Sequence, residues 1–256
     1  MSTHTIGERH WRVWGLLAVG LAVCVALFLN GPITQDQDYH RFADARGMFG
    51  LPNFWNVVSN APFLVFGLWG VFALLRDAKQ RAPRRRTYLT FFIGSALVAF
   101  GSAYYHADPG DATLAWDRLP MTIAFMAFFA AIIDRHVRSG FAARGLLPLL
   151  LIGVASVIWW RVSGDLRVYL LVQFLPILTI PLILLAFPVR SAGTRWIWAV
   201  LGVYVLAKIL EVYDAQLYSA LGMSGHALKH LAAALGVYAM LRAVRAEVSA
   251  TGSPLR

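Results

Sequence analysis

The chain has 256 residues, 59% of them hydrophobic and 14% charged, with a mean hydropathy of +0.61. Soluble domains sit near roughly 45–50% apolar and 25% charged residues, so a water-soluble globular domain is excluded. The formal net charge of +10 points to an acidic partner, but the basic residues collect in alternate connections between apolar runs, as the orientation bias of membrane insertion requires; the excess is assigned to topology and anionic headgroups at the cytoplasmic face, with no nucleic-acid partner.

Runs of about 20 apolar residues are long enough to cross a hydrocarbon core, whereas a transmembrane barrel shows segments of about ten residues with alternating polarity. The expected fold is therefore all-α, a polytopic transmembrane helix bundle. Eight apolar segments can be marked, at 12–30, 53–75, 88–106, 113–133, 145–160, 168–187, 195–213 and 224–243, with seven as the rival count. The first carries the single cysteine, Cys24, which permits neither an intrachain disulfide nor a thiolate cluster. No small-x-small cleavage site follows its apolar core, so it reads as a retained helix.

With eight helices, sixteen of the 23 Lys and Arg residues fall in one alternate set of connections and only Arg41, Arg46, Arg161 and Arg167 in the other. The bias places both termini in the cytoplasm. The stretch from Gly31 to Pro52 is then a long polar extracytoplasmic loop, RDAKQRAPRRR is the main cytoplasmic basic loop, and the short Asp108-Pro109-Gly110-Asp111 turn makes the third and fourth helices antiparallel neighbours.

Polar groups inside such segments are costly, and each is a candidate for function. Ser102 and His106 are four apart at the outer end of the third segment, and His226 and His230 are four apart near the outer start of the last; in each case the pair shares one helix face. Asp117 opens the fourth segment just across the short turn. All five fall at one depth on one side, although that depth was fixed from other residues, the arginines. Two imidazoles one turn apart and a third from another helix make a three-nitrogen set with a fourth position open, which suits zinc. Such an ion activates water for amide or ester hydrolysis, Asp117 would take the proton, and Ser102 would donate to the oxyanion. His4, His10, His40 and His136 lack this company and are read as solvated or interfacial.

Lys208, Glu211 and Asp214 recur every three residues along the seventh segment, either lining a headgroup path or satisfying one another as an internal ion pair. Asn56, Ser59 and Asn60 are read as hydrogen-bonding cross-links between helices. Arg118 is either the ion-pair partner of Asp117 or an interfacial anchor. Pro176 and Pro181 are expected to bend the sixth segment and widen a pocket for an acyl chain.

Over residues 36–243 the sequence resembles the alkaline ceramidase family of membrane zinc amidases, whose wider superfamily holds adiponectin-receptor-like proteins. The likeness rests on Asn53-Phe54-Trp55-Asn56-Val57-Val58-Ser59-Asn60, Gly101-Ser102-Ala103-Tyr104-Tyr105-His106, Trp116-Asp117-Arg118-Leu119-Pro120-Met121 and Gly225-His226-Ala227-Leu228-Lys229-His230. It implies a seven-helix core that hydrolyses the N-acyl amide of ceramide or a related lipid to a sphingoid base and a free fatty acid, with residues 12–30 as an extra helix. It also implies His106, His226 and His230 as zinc ligands, Asp117 as the water-activating carboxylate and Ser102 beside the metal. Eukaryotic members bind calcium through an acidic loop with a glutamate where this chain has Asn53; Asp36, Asp38 and Asp44 supply the remaining candidate ligands.

The expected organisation is a cytoplasmic terminus with the extra helix at 1–30, an extracytoplasmic loop at 31–52, a catalytic membrane domain at 53–243 and a cytoplasmic tail at 244–256. The expected location is a bacterial cytoplasmic membrane, with the site on the extracytoplasmic side. The competing reading is a receptor-like or sensor protein that keeps the zinc scaffold with little turnover.

Overall fold

The computed structural model describes residues 3–76 and 82–250. Its α-helices are α1 (Thr3–Leu29), α2 (Phe54–Val58), α3 (Ala61–Arg76), α4 (Ala82–Ala107), α5 (Asp111–Ile132), α6 (Phe141–Ser163), α7 (Arg167–Ala186), α8 (Thr194–Val212), α9 (Asp214–Leu221) and α10 (Gly225–Ala250). Among the described residues the only β pairing is an isolated bridge between Met48 and Leu51. Among the described residues seven spans are long and apolar enough to cross a membrane. An eighth appears if α8 and α9 count as one, although they meet at an 80° bend. The all-helical polytopic bundle inferred from composition is the observed architecture.

Two segment boundaries differ from the sequence reading for local reasons. Residues 53–75 are split between α2 and α3 because Pro62, which lacks an N–H, sits in the first turn of α3, where no donor is needed. Residues 82–86, read as part of a basic loop, form the start of α4. There Arg84 pairs with Asp134, and Arg85 donates to the Leu74 carbonyl at the end of α3. These two cations are thus occupied within the protein, while Lys79 and Arg81 of the same stretch lie outside the described residues.

The short 108–110 turn does make α4 and α5 an intimate pair, the most extensively packed in the molecule. A Cβ at Gly101 would lie 2.1 Å from the Trp116 carbonyl oxygen, so only glycine permits this approach, immediately beside Ser102 and Asp117. α10 packs on α8 and α3, and α1 lies at the periphery against α7 with much of its apolar surface facing outward. The main core joins Phe92, Leu74, Ile132, Ile180, Ile197 and Leu241 toward the end where α3 and α5 finish. At that end Arg135, Glu247 and Ser191 are linked by side-chain bonds. The opposite end, closed by the 31–53 segment, holds the histidines.

Candidate metal centre

Each histidine is positioned by its helix terminus. The α4 helix ends one residue beyond His106, and the Asn53 amide donates to the His106 carbonyl at 2.9 Å, satisfying an acceptor the helix leaves open. Asn53 reaches it from left-handed backbone (φ 47°), a conformation asparagine tolerates better than most residues. Ser224 caps α10: its hydroxyl accepts from the Ala227 N–H at 3.0 Å and donates to Asn56 Oδ1. Asp214 accepts the His226 N–H at 2.8 Å and, through its other oxygen, the Ala43 N–H. Gly225 brings α10 against α8, since a Cβ there would meet the Leu210 carbonyl oxygen at 2.1 Å.

These constraints bring His106, His226 and His230 together. All three are buried, His106 with 1% of its surface exposed. Their ring centroids are 4.8–4.9 Å apart, and one potential ligand atom from each lies within 4.8 Å of the others. Among the described residues this is the only group of three or more His, Cys, Asp or Glu side chains so arranged. His106 Nδ1 is buried without a hydrogen-bond partner, while His230 Nδ1 lies 2.8 Å from Ser59 Oγ, which leaves Nε2 free. Orphaned buried ring nitrogens are expensive unless something binds them. An all-imidazole donor set of this size fits zinc, and His106, His226 and His230 are the residues that would hold it.

Ser102 and Asp117 are buried close to one another beside this group. Both line, with His230, a cavity of about 420 Å³. Along α4 its wall runs from Ser102 to Phe91 and along α5 from Asp117 to Phe128. Eleven residues at 1.5 Å each give about 16 Å, roughly one leaflet of a ~30 Å hydrocarbon core. The polar groups sit at the histidine end, and Val98, Phe125, Ile180 and Leu201 line the depth.

Several residues take roles that the spacing concealed. Phe42, from the 31–53 segment, packs on His106 and His226 with ring centroids 4.7 and 4.8 Å away. Lys229 Nζ lies 3.0 Å from His226 Nε2 and 2.8 Å from Glu211, which also holds Lys208 at 2.6 Å. The internal ion pair is therefore present, with Lys229 as an added member. Asp214, expected on the same helix face, stands beyond the 80° bend and ties down the α10 terminus instead. Lys229 was legible as a cation three residues after His226, a spacing that puts the two on neighbouring positions of one helix face, whereas the reach of Phe42 has no sequence signal.

The candidate calcium ligands are not gathered. Asp44 forms a two-pronged ion pair with Arg46, whose guanidinium holds its carboxyl below the ordinary range. Asp36 accepts the Asp38 N–H, Asp38 pairs with Arg41, and Asn53 is committed to His106.

Three readings need correction. Arg118 does not pair with Asp117; it is buried between the rings of Trp160 and Tyr169. His136 is buried and bonded to the Phe187 carbonyl, in the π-helical turn Ile133–Val137 that follows α5 and packs on α6 and α7. His40 is held between Tyr105 and Asp111. His10 is exposed as expected, and the His4 side chain lies outside the described residues.

Fold and site together define a polytopic helical membrane protein with an internal three-histidine candidate metal centre opening on an apolar cavity. A sequence model of the ceramidase family matches residues 51–251. The chain belongs to the ceramidase family, a family name that denotes hydrolysis of the amide bond of ceramide. The match leaves α1 and most of the following loop outside. A search of curated proteins found none that matches the chain.

Proposed function

We propose that the chain is a zinc-dependent intramembrane amidohydrolase that cleaves the N-acyl amide of ceramide or a related lipid into an amine and a free fatty acid. The observation that carries this reading is the meeting of three buried imidazoles with the Ser102–Asp117 pair at the polar end of an apolar cavity one leaflet deep. When bound, zinc supplies a Lewis acid and a water acidic enough to attack a carbonyl near neutral pH. The Asp117 carboxylate takes the proton from the attacking water and returns it to the leaving amine nitrogen. Ser102 donates its hydroxyl to the carbonyl oxygen as negative charge develops there. Ser59 fixes the tautomer of His230 by accepting from its Nδ1–H and donating its own O–H to the Asn56 carbonyl oxygen. The apolar walls align the acyl chain and exclude water.

Residues 53–243 form the catalytic membrane domain in this account. The arginine bias supports an orientation with the histidine end extracytoplasmic and the basic end toward anionic headgroups, in what we read as a bacterial cytoplasmic membrane. The test is mass spectrometry of fatty acid released from a panel of N-acyl lipids by wild type and by Asp117→Asn. Release by wild type, lowered about 10²–10⁴-fold in the variant with zinc retained, is expected. No release from any member would overturn the amidase reading in favour of a sensor that keeps the scaffold.

A further inference from the structure

Arg118 is a buried cation that the reaction above does not use. Only 6% of its surface is exposed, yet its described polar contact is with a neutral group, Gln35 Oε1, at 2.6 Å from Nη2. Trp160 and Tyr169 flank the guanidinium at 4.1 and 4.5 Å. Nη1 is buried with no hydrogen-bond partner, and the residue lines the cavity that also reaches His230, Asp117 and Ser102. Other charges on that wall are differently engaged. Glu211 is shared by Lys208 and Lys229, Asp36 accepts the Asp38 N–H, and Asp117 lies near Ser102 and acts on Arg118 through charge without a direct ion pair.

Buried charges are ordinarily paired, because an uncompensated one is costly. Two aromatic faces and one amide hold the guanidinium in place beside the cavity and leave Nη1 without a hydrogen-bond partner, a nitrogen that suits an oxyanion. We propose that Arg118 docks an acidic group on the amine portion of the lipid, so that the preferred substrates are N-acyl lipids bearing a carboxylate or phosphate near the scissile amide. This specificity rests on the amidase reading; the anion site itself does not. The aromatic clamp orients the guanidinium, and the acyl chain extends from the same polar end into the apolar depth.

The experiment uses the purified full-length zinc-loaded protein. Binding is measured for non-hydrolysable hexadecanesulfonamides of glycine, O-phosphoethanolamine and ethanolamine, which present a carboxylate, a phosphate and a hydroxyl. Fatty acid release is measured from the matching N-palmitoyl amides. At least one acidic analogue is expected to bind about tenfold or more tightly than the neutral one, as charge-assisted bonds allow, and the two acidic arms tell carboxylate from phosphate. Arg118→Gln should abolish the difference and Arg118→Lys keep part of it, with zinc content and melting temperature reporting on folding. Equal binding of all three by wild type overturns the proposal without any variant. Amide hydrolysis without acidic preference sinks the acid site and leaves the amidase reading intact. Arg118-dependent acidic binding without hydrolysis of any amide does the reverse.

Discussion

Replacing Ser59 with alanine removes one buried oxygen from the wall of the histidine cluster. Ser59 Oγ lies 2.8 Å from His230 Nδ1 and donates to the Asn56 carbonyl at 3.2 Å. With Nε2 turned to a metal ion, Nδ1 must carry the proton, and in Ser59→Ala that buried N–H loses its hydroxyl acceptor. Such a loss costs about 1–3 kcal/mol. Without the ion the ring escapes by changing tautomer, so the penalty falls on the loaded state. At 1.4 kcal/mol per tenfold, zinc binding weakens by about 5- to 150-fold, in line with the ~10–100-fold effect typical of outer partners of metal-bound histidine. Competition with a chromogenic chelator in detergent measures it, and Ser59→Thr, which keeps the hydroxyl, should retain most of the affinity. An affinity in Ser59→Ala indistinguishable from wild type would refute the assigned geometry.

Two further predictions concern what holds the site in shape. Gly101→Ala forces a Cβ to 2.1 Å from a backbone oxygen of α5, an overpacking expected to cost about 1–3 kcal/mol; thermal unfolding should drop for it and stay unchanged for Gly110→Ala, where nothing lies within 4 Å. Asp165 ties the 31–53 segment to the α6–α7 turn by accepting the Ile33 N–H, and Arg167 holds its carboxyl down at about 2. This lies below the ~3.9 of an unfolded aspartate, so its stabilisation is present above about pH 4 and is lost as pH falls through 2. The melting-temperature gap between wild type and Asp165→Asn should therefore exist at neutral pH and close on acidification; a gap independent of pH would contradict the linkage.

The helical, multi-spanning character was legible because hydrocarbon thickness demands long apolar runs, and composition alone shows them. The histidine cluster was legible because helical period and loop charge are independent signals that met at one depth. The 80° bend at Tyr213 was not, since Lys208, Glu211 and Asp214 keep a helical spacing across it while Asp214 turns away to cap α10. Arg118 was misplaced because sequence adjacency to Asp117 suggests a pair, whereas neighbours on a helix point about 100° apart. Its clamp comes from α6 and α7, which no local pattern announces. The same holds for Ser59, whose partner His230 lies 171 positions away.

The central claim is that His106, His226 and His230 bind one zinc ion that the hydrolysis requires. Metal content and fatty acid release, measured together on wild type and on the triple variant His106→Ala, His226→Ala and His230→Ala, test it directly. The account predicts about one zinc per chain with activity in the wild type, and neither in a folded triple variant. Zinc retained stoichiometrically by the triple variant, or full activity in a metal-free wild type, would contradict it.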